Sequence, residues 1–295
     1  MLKCATGNRQ GNQQRFGSPR FFFVAGRQEG FVLLVIDIGN TNIVMGVYQG
    51  RRLVQDWRVR TESNTTEDEF NVLAAGLFNV SGIRIADITQ TIISSVVPPM
   101  VSILDAFCRK YLGHAPCWVD ARCAAQMPVL YNNPAEVGAD RIVNAVAAYD
   151  KYRCSLIIID FGTATTFDAV SEKGEYLGGA ICPGIHIASE ALFMKASKLP
   201  RVEIFKAPSN VIGRDTISSI QSGLIFGYAG LVDGIVARMQ KEMGTVPRVI
   251  ATGGLAPLMA GVANVIAAVE PNLTLEGLRI IWEKTAADTI SSPRN

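Results

Sequence analysis

Phe31-Val-Leu-Leu-Val-Ile-Asp37-Ile-Gly39-Asn40-Thr41 is an apolar run that ends in an acidic residue and a glycine. Leu156-Ile-Ile-Ile-Asp160-Phe-Gly162-Thr163-Ala-Thr165 repeats the pattern about one domain's length further on. An unbroken apolar run of this length predicts a strand buried on both faces. In the first copy Ile43–Tyr48 and a Gln49-Gly50 turn follow; in the second, Thr166–Val170 and a Lys173-Gly174 turn. Self-similarity on that scale predicts two related α/β domains rather than a solenoid.

The repeated element has readable chemistry. A strand delivers an Asp at its end, and a Gly two residues later permits a tight turn where backbone N–H groups approach an anion. Asn40, Thr41, Thr163 and Thr165 can donate to phosphate oxygens, and an Asp can hold a cation or its water shell. Either copy alone reads as a plain Asp-Gly hairpin. Two copies facing each other across a cleft would clamp a polyphosphate. A third element, Arg248-Val-Ile-Ala-Thr252-Gly253-Gly254-Leu-Ala-Pro257, runs a strand through paired glycines into a helix with Pro near its first turn. Those glycines would let a flat base lie against the backbone. With no Walker A lysine motif present, charge neutralisation is expected from metal ions and loop dipoles.

Composition narrows the partners. The 295 residues are 48% apolar and 18% charged, with a net charge of +2. That excludes a disordered chain and argues against a nucleic-acid binder, which needs a basic excess. Six cysteines without a C-x-x-C pair do not make a disulfide scaffold, and a reducing cytoplasm is expected. Cys108, Cys117 and Cys123 near His114 match no zinc module, so buried thiols are expected there. Residues 1–30, rich in Gly, Asn, Gln and Arg, read as an unstructured extension; Phe21–Gly26 is too short for a signal peptide's apolar region. The longest uncharged stretch, Val249–Val269, is broken by Gly253, Gly254 and Pro257, so it predicts strand, turn and helix, and no transmembrane segment is expected.

Three such segments in this order resemble the phosphate-1, phosphate-2 and adenosine motifs of the actin-like sugar-kinase superfamily. The details are most similar to type III pantothenate kinases. Asp37–Thr41 matches Asp-x-Gly-Asn-Thr, Gly138-Ala139-Asp140-Arg141 matches Gly-x-Asp-Arg, and Asp160–Thr166 matches Asp-x-Gly-Thr-Ala-Thr-Thr. Gly178–Gly184, Gly213-Arg214-Asp215-Thr216, Gln221-Ser222-Gly223 and Thr252-Gly253-Gly254 continue the series to about residue 285. The resemblance implies two ribonuclease H-like domains, 31–153 and 154–295, closing on a central ATP cleft.

It also implies ATP-dependent phosphorylation of pantothenate to 4′-phosphopantothenate, the first step toward coenzyme A. Asp140 would be the general base; read from its position alone, it is a helix N-cap. Arg141 would face the pantothenate carboxylate or a phosphate, with Tyr131, Gly138, Ala139 and Thr216 completing the substrate site. From the residues alone Tyr131 is also a core tyrosine, and Thr216 also an N-cap. Asp37, Ile38, Gly39, Asn40, Thr41, Asn42, Ile43, Val44 and Thr163 would hold Mg²⁺–ATP. Asp160 would hold a monovalent cation, K⁺ or NH₄⁺. The resemblance further implies a cytoplasmic homodimer whose pantothenate site is completed across the interface, with no nucleic-acid or membrane partner. The rivals are a non-catalytic homologue acting in transcriptional activation, and another small-molecule kinase or phosphatase of the superfamily.

Overall fold

The computed structural model describes residues 32–119 and 127–291. The proposed extension 1–30 and Cys123 lie outside the described residues. The first sheet is built from β1 (Val32–Ile38), β2 (Asn42–Gln49), β3 (Arg52–Arg60), β4 (Gln90–Ser95) and β5 (Cys117–Trp118), in the order β3-β2-β1-β4-β5. Helices α1 (Glu67–Val80) and α2 (Pro98–Phe107) connect its strands. Thr66 and Glu69 form the capping box at the start of α1, as the Thr-Thr-Glu-Asp-Glu run predicts.

After α3 (Ala139–Tyr152) the pattern repeats with β6 (Leu156–Phe161), β7 (Ala164–Val170) and β8 (Tyr176–Pro183). Next come α4 (Ile185–Lys195), α5 (Thr216–Met243), β9 (Arg248–Thr252), α6 (Ala256–Ala260), β10 (Ala268–Val269) and α7 (Leu273–Ser291). The second sheet runs β10-β9-β6-β7-β8, which read from its other edge is the order of the first. The internal repeat therefore extends to all five strands. In each sheet the central strand pairs antiparallel with the next in sequence and parallel with a strand reached through helices. Val249–Val269 forms the expected strand, glycine turn and helix, and ends in a further short strand, β10.

Period-two alternation sends each central strand into two cores. Leu33 and Val35 face a core shared with Leu156, Ile158 and Ile250 of the second sheet, filled by α3 and α7. Leu34, Ile36 and Ile38 face a second core beneath α1 and α2. Ile157 and Ile159 face a third beneath α5 and α6. Helix α7, the last element, returns to pack on α3 and against β1, β2 and β4. The two sheets thus share one helical middle layer, and the ends of β1 and β6 open side by side.

The middle layer is close-packed where Gly277 of α7 meets α3. A Cβ at 277 would lie 2.2 Å from the Val143 carbonyl oxygen. Gly277→Ala is expected to destabilise the protein by ~1–3 kcal/mol through overpacking. Urea unfolding measures this, and an unchanged midpoint would mean that α7 is not seated on α3 as described.

Candidate active site

Equivalent registers set up the site. Asp37 near the end of β1 lies opposite Ser94 of β4, and Asp160 near the end of β6 lies opposite Thr252 of β9. The loops that follow meet across the cleft, where the Thr41 and Thr163 hydroxyls are 2.9 Å apart. Gly39 N–H donates to the Asn42 carbonyl at 3.0 Å and Gly162 N–H to the Ala164 carbonyl at 3.1 Å. Those two N–H groups close the turns and are not free for an anion, a refinement of the sequence reading. Ile38 and Ile43 are buried in the core under α1 and α2, so their side chains do not line the cleft. Asn40 and Thr41 are exposed beside it, and Asn42 and Val44 are half-buried.

Asp140 comes to the same place. It is the second residue of α3, whose N-cap is Gly138, so the N-cap reading of Asp140 is corrected. Its Oδ1 accepts from the Arg141 N–H at 2.9 Å, curling the carboxylate over the helix start. Burial nevertheless raises its pKa above the usual carboxylate range. Asp37 and Asp160 are pushed up to about 7, first by burial, then by the nearby charges of Asp140 and, for Asp37, Asp160. Three carboxylates from three elements therefore sit within electrostatic reach of one another.

The protein contacts both oxygens of Asp160. Asn144 Nδ2 donates to Oδ2 at 3.2 Å, and Thr274 Oγ1 of α7 donates to Asn144 Oδ1 at 2.8 Å, so the middle layer fixes the carboxylate's orientation. Gly253 approaches the other oxygen. It has φ +90, and a Cβ there would lie 2.6 Å from Asp160 Oδ1. Among the described residues no three His, Cys, Asp or Glu side chains cluster as a metal site. This donor set suits a cation held partly by phosphates, carbonyls and water.

Arg141 is anchored differently from the sequence reading. Its Nε donates to Asp168 Oδ1 at 2.7 Å. Nη2 lies 2.6 Å from the same oxygen as an ion pair without an aligned hydrogen bond. Asp168 is fully buried and also accepts from Tyr176 Oη at 2.7 Å. Gly179 makes room for the pair, since a Cβ there would lie 2.9 Å from Nη2 and 1.7 Å from the Phe167 carbonyl oxygen. Tyr131 covers the adjoining Gly178, 3.6 Å from the position a Cβ would take. Tyr131, Gly138, Ala139 and Arg141 thus flank Asp140 and the β7–β8 edge.

Thr216 lies apart from these. It is the first residue of α5, and Asp215 is the N-cap, which corrects the capping role read for Thr216. It lines a cavity of about 680 Å³ with Leu192, Leu199, Arg214 and Ser219, and no other candidate site residue is in its walls. His114, bonded to Thr91 and the Leu112 carbonyl, is structural.

The sequence reading missed Ser94, Asn144 and Asp168. Asp168 carried a signal: a lone carboxylate in the strand Ala164–Val170, between Phe167 and Ala169, needs a buried partner. Ser94 and Asn144 carried none.

Residues 33–238 match the type III pantothenate kinase family. The chain belongs to that family. A type III pantothenate kinase from Desulfatibacillum aliphaticivorans is 67% identical over 255 residues, 86% of this chain and 99% of the relative. One from Desulforapulum autotrophicum is 63% identical over 254 residues, 86% of this chain and 97% of the relative. Among solved structures, (R)-2-hydroxyglutaryl-CoA dehydratase component A from Acidaminococcus fermentans superposes with a TM-score of 0.52 at 16% identity, covering 87% of this chain and 99% of that one. At that identity the likeness shows the fold alone, the duplicated actin-like arrangement. What separates this type III pantothenate kinase from other users of the fold is the family match.

The raised carboxyls make a stability prediction. In the unfolded chain Asp37 and Asp160 titrate near the ordinary 3.8, and in the folded chain near 7. Between those values the folded state holds more protons, so ligand-free stability falls as pH rises through the window. The thermal midpoint of nucleotide-free protein in chelator, without K⁺ or NH₄⁺, is expected to drop from pH 5 to pH 8. Asp160→Asn should flatten that drop and stabilise the protein at pH 8 by ~1–3 kcal/mol. A flat wild-type profile would contradict the reading of two buried, mutually repelling acids.

Proposed function

We infer that this chain transfers the γ-phosphoryl group of ATP to the primary hydroxyl of pantothenate, giving 4′-phosphopantothenate for coenzyme A biosynthesis. One observation carries the assignment of roles: Asp140 meets the duplicated Asp37 and Asp160 loops in a single cleft. Bound ATP with Mg²⁺ supplies the transferable phosphoryl group, and such transfer depends on positioning and charge neutralisation more than on covalent help. The chain's own groups provide the positioning. Asn40, Thr41 and Thr163 offer hydrogen bonds to phosphate oxygens from both sides of the cleft, and Asp37 would face Mg²⁺ through its water shell. Asp160 would hold K⁺ or NH₄⁺, which would offset negative charge near the phosphates.

Asp140 takes the proton of the substrate hydroxyl. Burial raises its pKa, which brings it nearer to neutrality and makes it a better proton acceptor than a solvated Asp. Arg141, locked by Asp168, presents the rest of its guanidinium to the pantothenate carboxylate beside Tyr131. The described Cys108, Cys154 and Cys182 are free thiols, which suits a reducing cytoplasm.

A homodimer accounts for Thr216. Helix α5 is long and apolar enough to cross a membrane by length and composition, yet one face packs on the second sheet through Leu224, Ile225, Val232 and Val236. Its other face exposes Gly223, Gly227 and Gly230 at helical spacing, each with open space where a Cβ would go. Phe205, Val211, Ile212 and Ile217 lie exposed near its start. A second copy on this face would cover that apolar surface and bring Thr216 to the partner's pantothenate site.

The test of the activity is phosphopantothenate formation from Mg²⁺–ATP, K⁺ and pantothenate. Asp140→Asn should lower kcat by ~10²-fold or more with ATP affinity little changed; equal turnover would exclude the base role. Gly227→Arg is expected to give a folded monomer by light scattering, with a raised KM for pantothenate. A dimer of unchanged affinity would place the interface elsewhere.

A further inference from the structure

The cleft gathers acids and, when occupied, a polyphosphate, so the source of its positive charge matters. Arg141 is committed to Asp168. Arg58 of β3 is placed otherwise. The register runs Asp37 opposite Val44 and Val44 opposite Arg58, so the three share one face across β1, β2 and β3. It is the face of Leu33 and Val35, turned toward the second sheet; Trp57 and Val59, on either side of Arg58, point into the opposite core.

Arg58 is exposed, and among the described residues no carboxylate lies within 4 Å of it. Its reach extends across the cleft: Nη1 lies 3.8 Å from where a Cβ of Gly254 would be. It therefore touches the β9–α6 glycine turn of the second sheet from a strand of the first. Its charge also favours the ionised forms of both Asp37 and Asp160 without pairing directly with either. An exposed Arg is ordinarily a solvated surface group of little energetic weight. A guanidinium that reaches across the cleft near the half-buried Asp37 and Asp160, beside the β9–α6 glycine turn, is placed to meet an anion that enters there. Its planar fork suits two phosphate oxygens at once.

We propose that Arg58 binds the polyphosphate of ATP, supplying from β3 the fixed positive charge that a P-loop lysine supplies in other nucleotide sites. The assignment rests on the ATP-dependent reading of the cleft. It predicts a specific pattern of binding, independent of turnover.

Calorimetric titration of the full-length wild type and Arg58→Ala with ADP and with AMP tests it. Arg58→Ala should weaken ADP by at least about tenfold, the loss expected for a charge-assisted contact, and leave AMP within about twofold. Arg58→Lys should recover part of the ADP affinity. The KM for pantothenate should stay near wild type while that for ATP rises. Because the side chain is exposed, the fold should survive the change: the thermal midpoint should not move at pH 5, where Asp37 and Asp160 are protonated, and should fall only as they ionise. Equal ADP affinity in wild type and Arg58→Ala would overturn the proposal, as would equal losses for ADP and AMP, which would assign Arg58 to the nucleoside or to the fold. A wild type that binds neither nucleotide would instead overturn the ATP-dependent reading itself.

Discussion

Carboxylates buried within reach of one another repel, and a fold that assembles three of them must either leave some protonated or recruit cations. Asp37 and Asp160 reach this position because the same strand–Asp–x–Gly element is used twice, on sheets with the same strand order. Asp140 reaches it because α3 starts beside both loops. Much of the remaining architecture serves to hold that arrangement. The shared middle layer of α3 and α7 fixes the spacing of the sheets, and Thr274 and Asn144 extend its influence to the Asp160 carboxylate itself. In the ligand-free chain the repulsion is relieved by proton uptake. With nucleotide and metal present, added cations can take over that role, so one electrostatic conflict links folding stability to occupancy.

A second buried charge works the other way. Arg141 and Asp168 neutralise each other, and removing either partner would leave an uncompensated ion in the protein interior. Tyr176 donates a further hydrogen bond to Asp168, and Gly179 leaves room for the guanidinium. A guanidinium held so firmly has little freedom to follow a substrate, which favours selection of a ligand that already fits. The site therefore pairs a tense cluster, adjusted by protons, with a rigid buried ion pair beside it.

Much of this was legible in the residues, and the boundary of legibility has physical causes. The two Asp-Gly loops were visible because strands buried on both faces are unbroken apolar runs, and their ends stand out. The five-strand repeat was only half visible, because the outer strands alternate or are two residues long, as β5 and β10 are. Capping was misplaced by one or two residues at Asp140 and Thr216, since Gly138 and Asp215 can fill the cap equally well. Ser94, Asn144 and Arg58 carry no local signal at all: their importance comes from cross-strand register and from helix packing, which only the folded chain supplies. The resemblance placed Asp140 and Arg141 in one motif, but the partner of Arg141 lies on a different element.

The central claim is that the two acidic loops face each other across one phosphate site. A Thr41→Cys/Thr163→Cys variant tests it, with the cross-linked peptide mapped by mass spectrometry under mild oxidation. The account predicts a bond between positions 41 and 163 within one chain in ligand-free protein, and strong protection by Mg²⁺–ATP. Absence of that bond, or its formation at the same rate with saturating nucleotide, would contradict it.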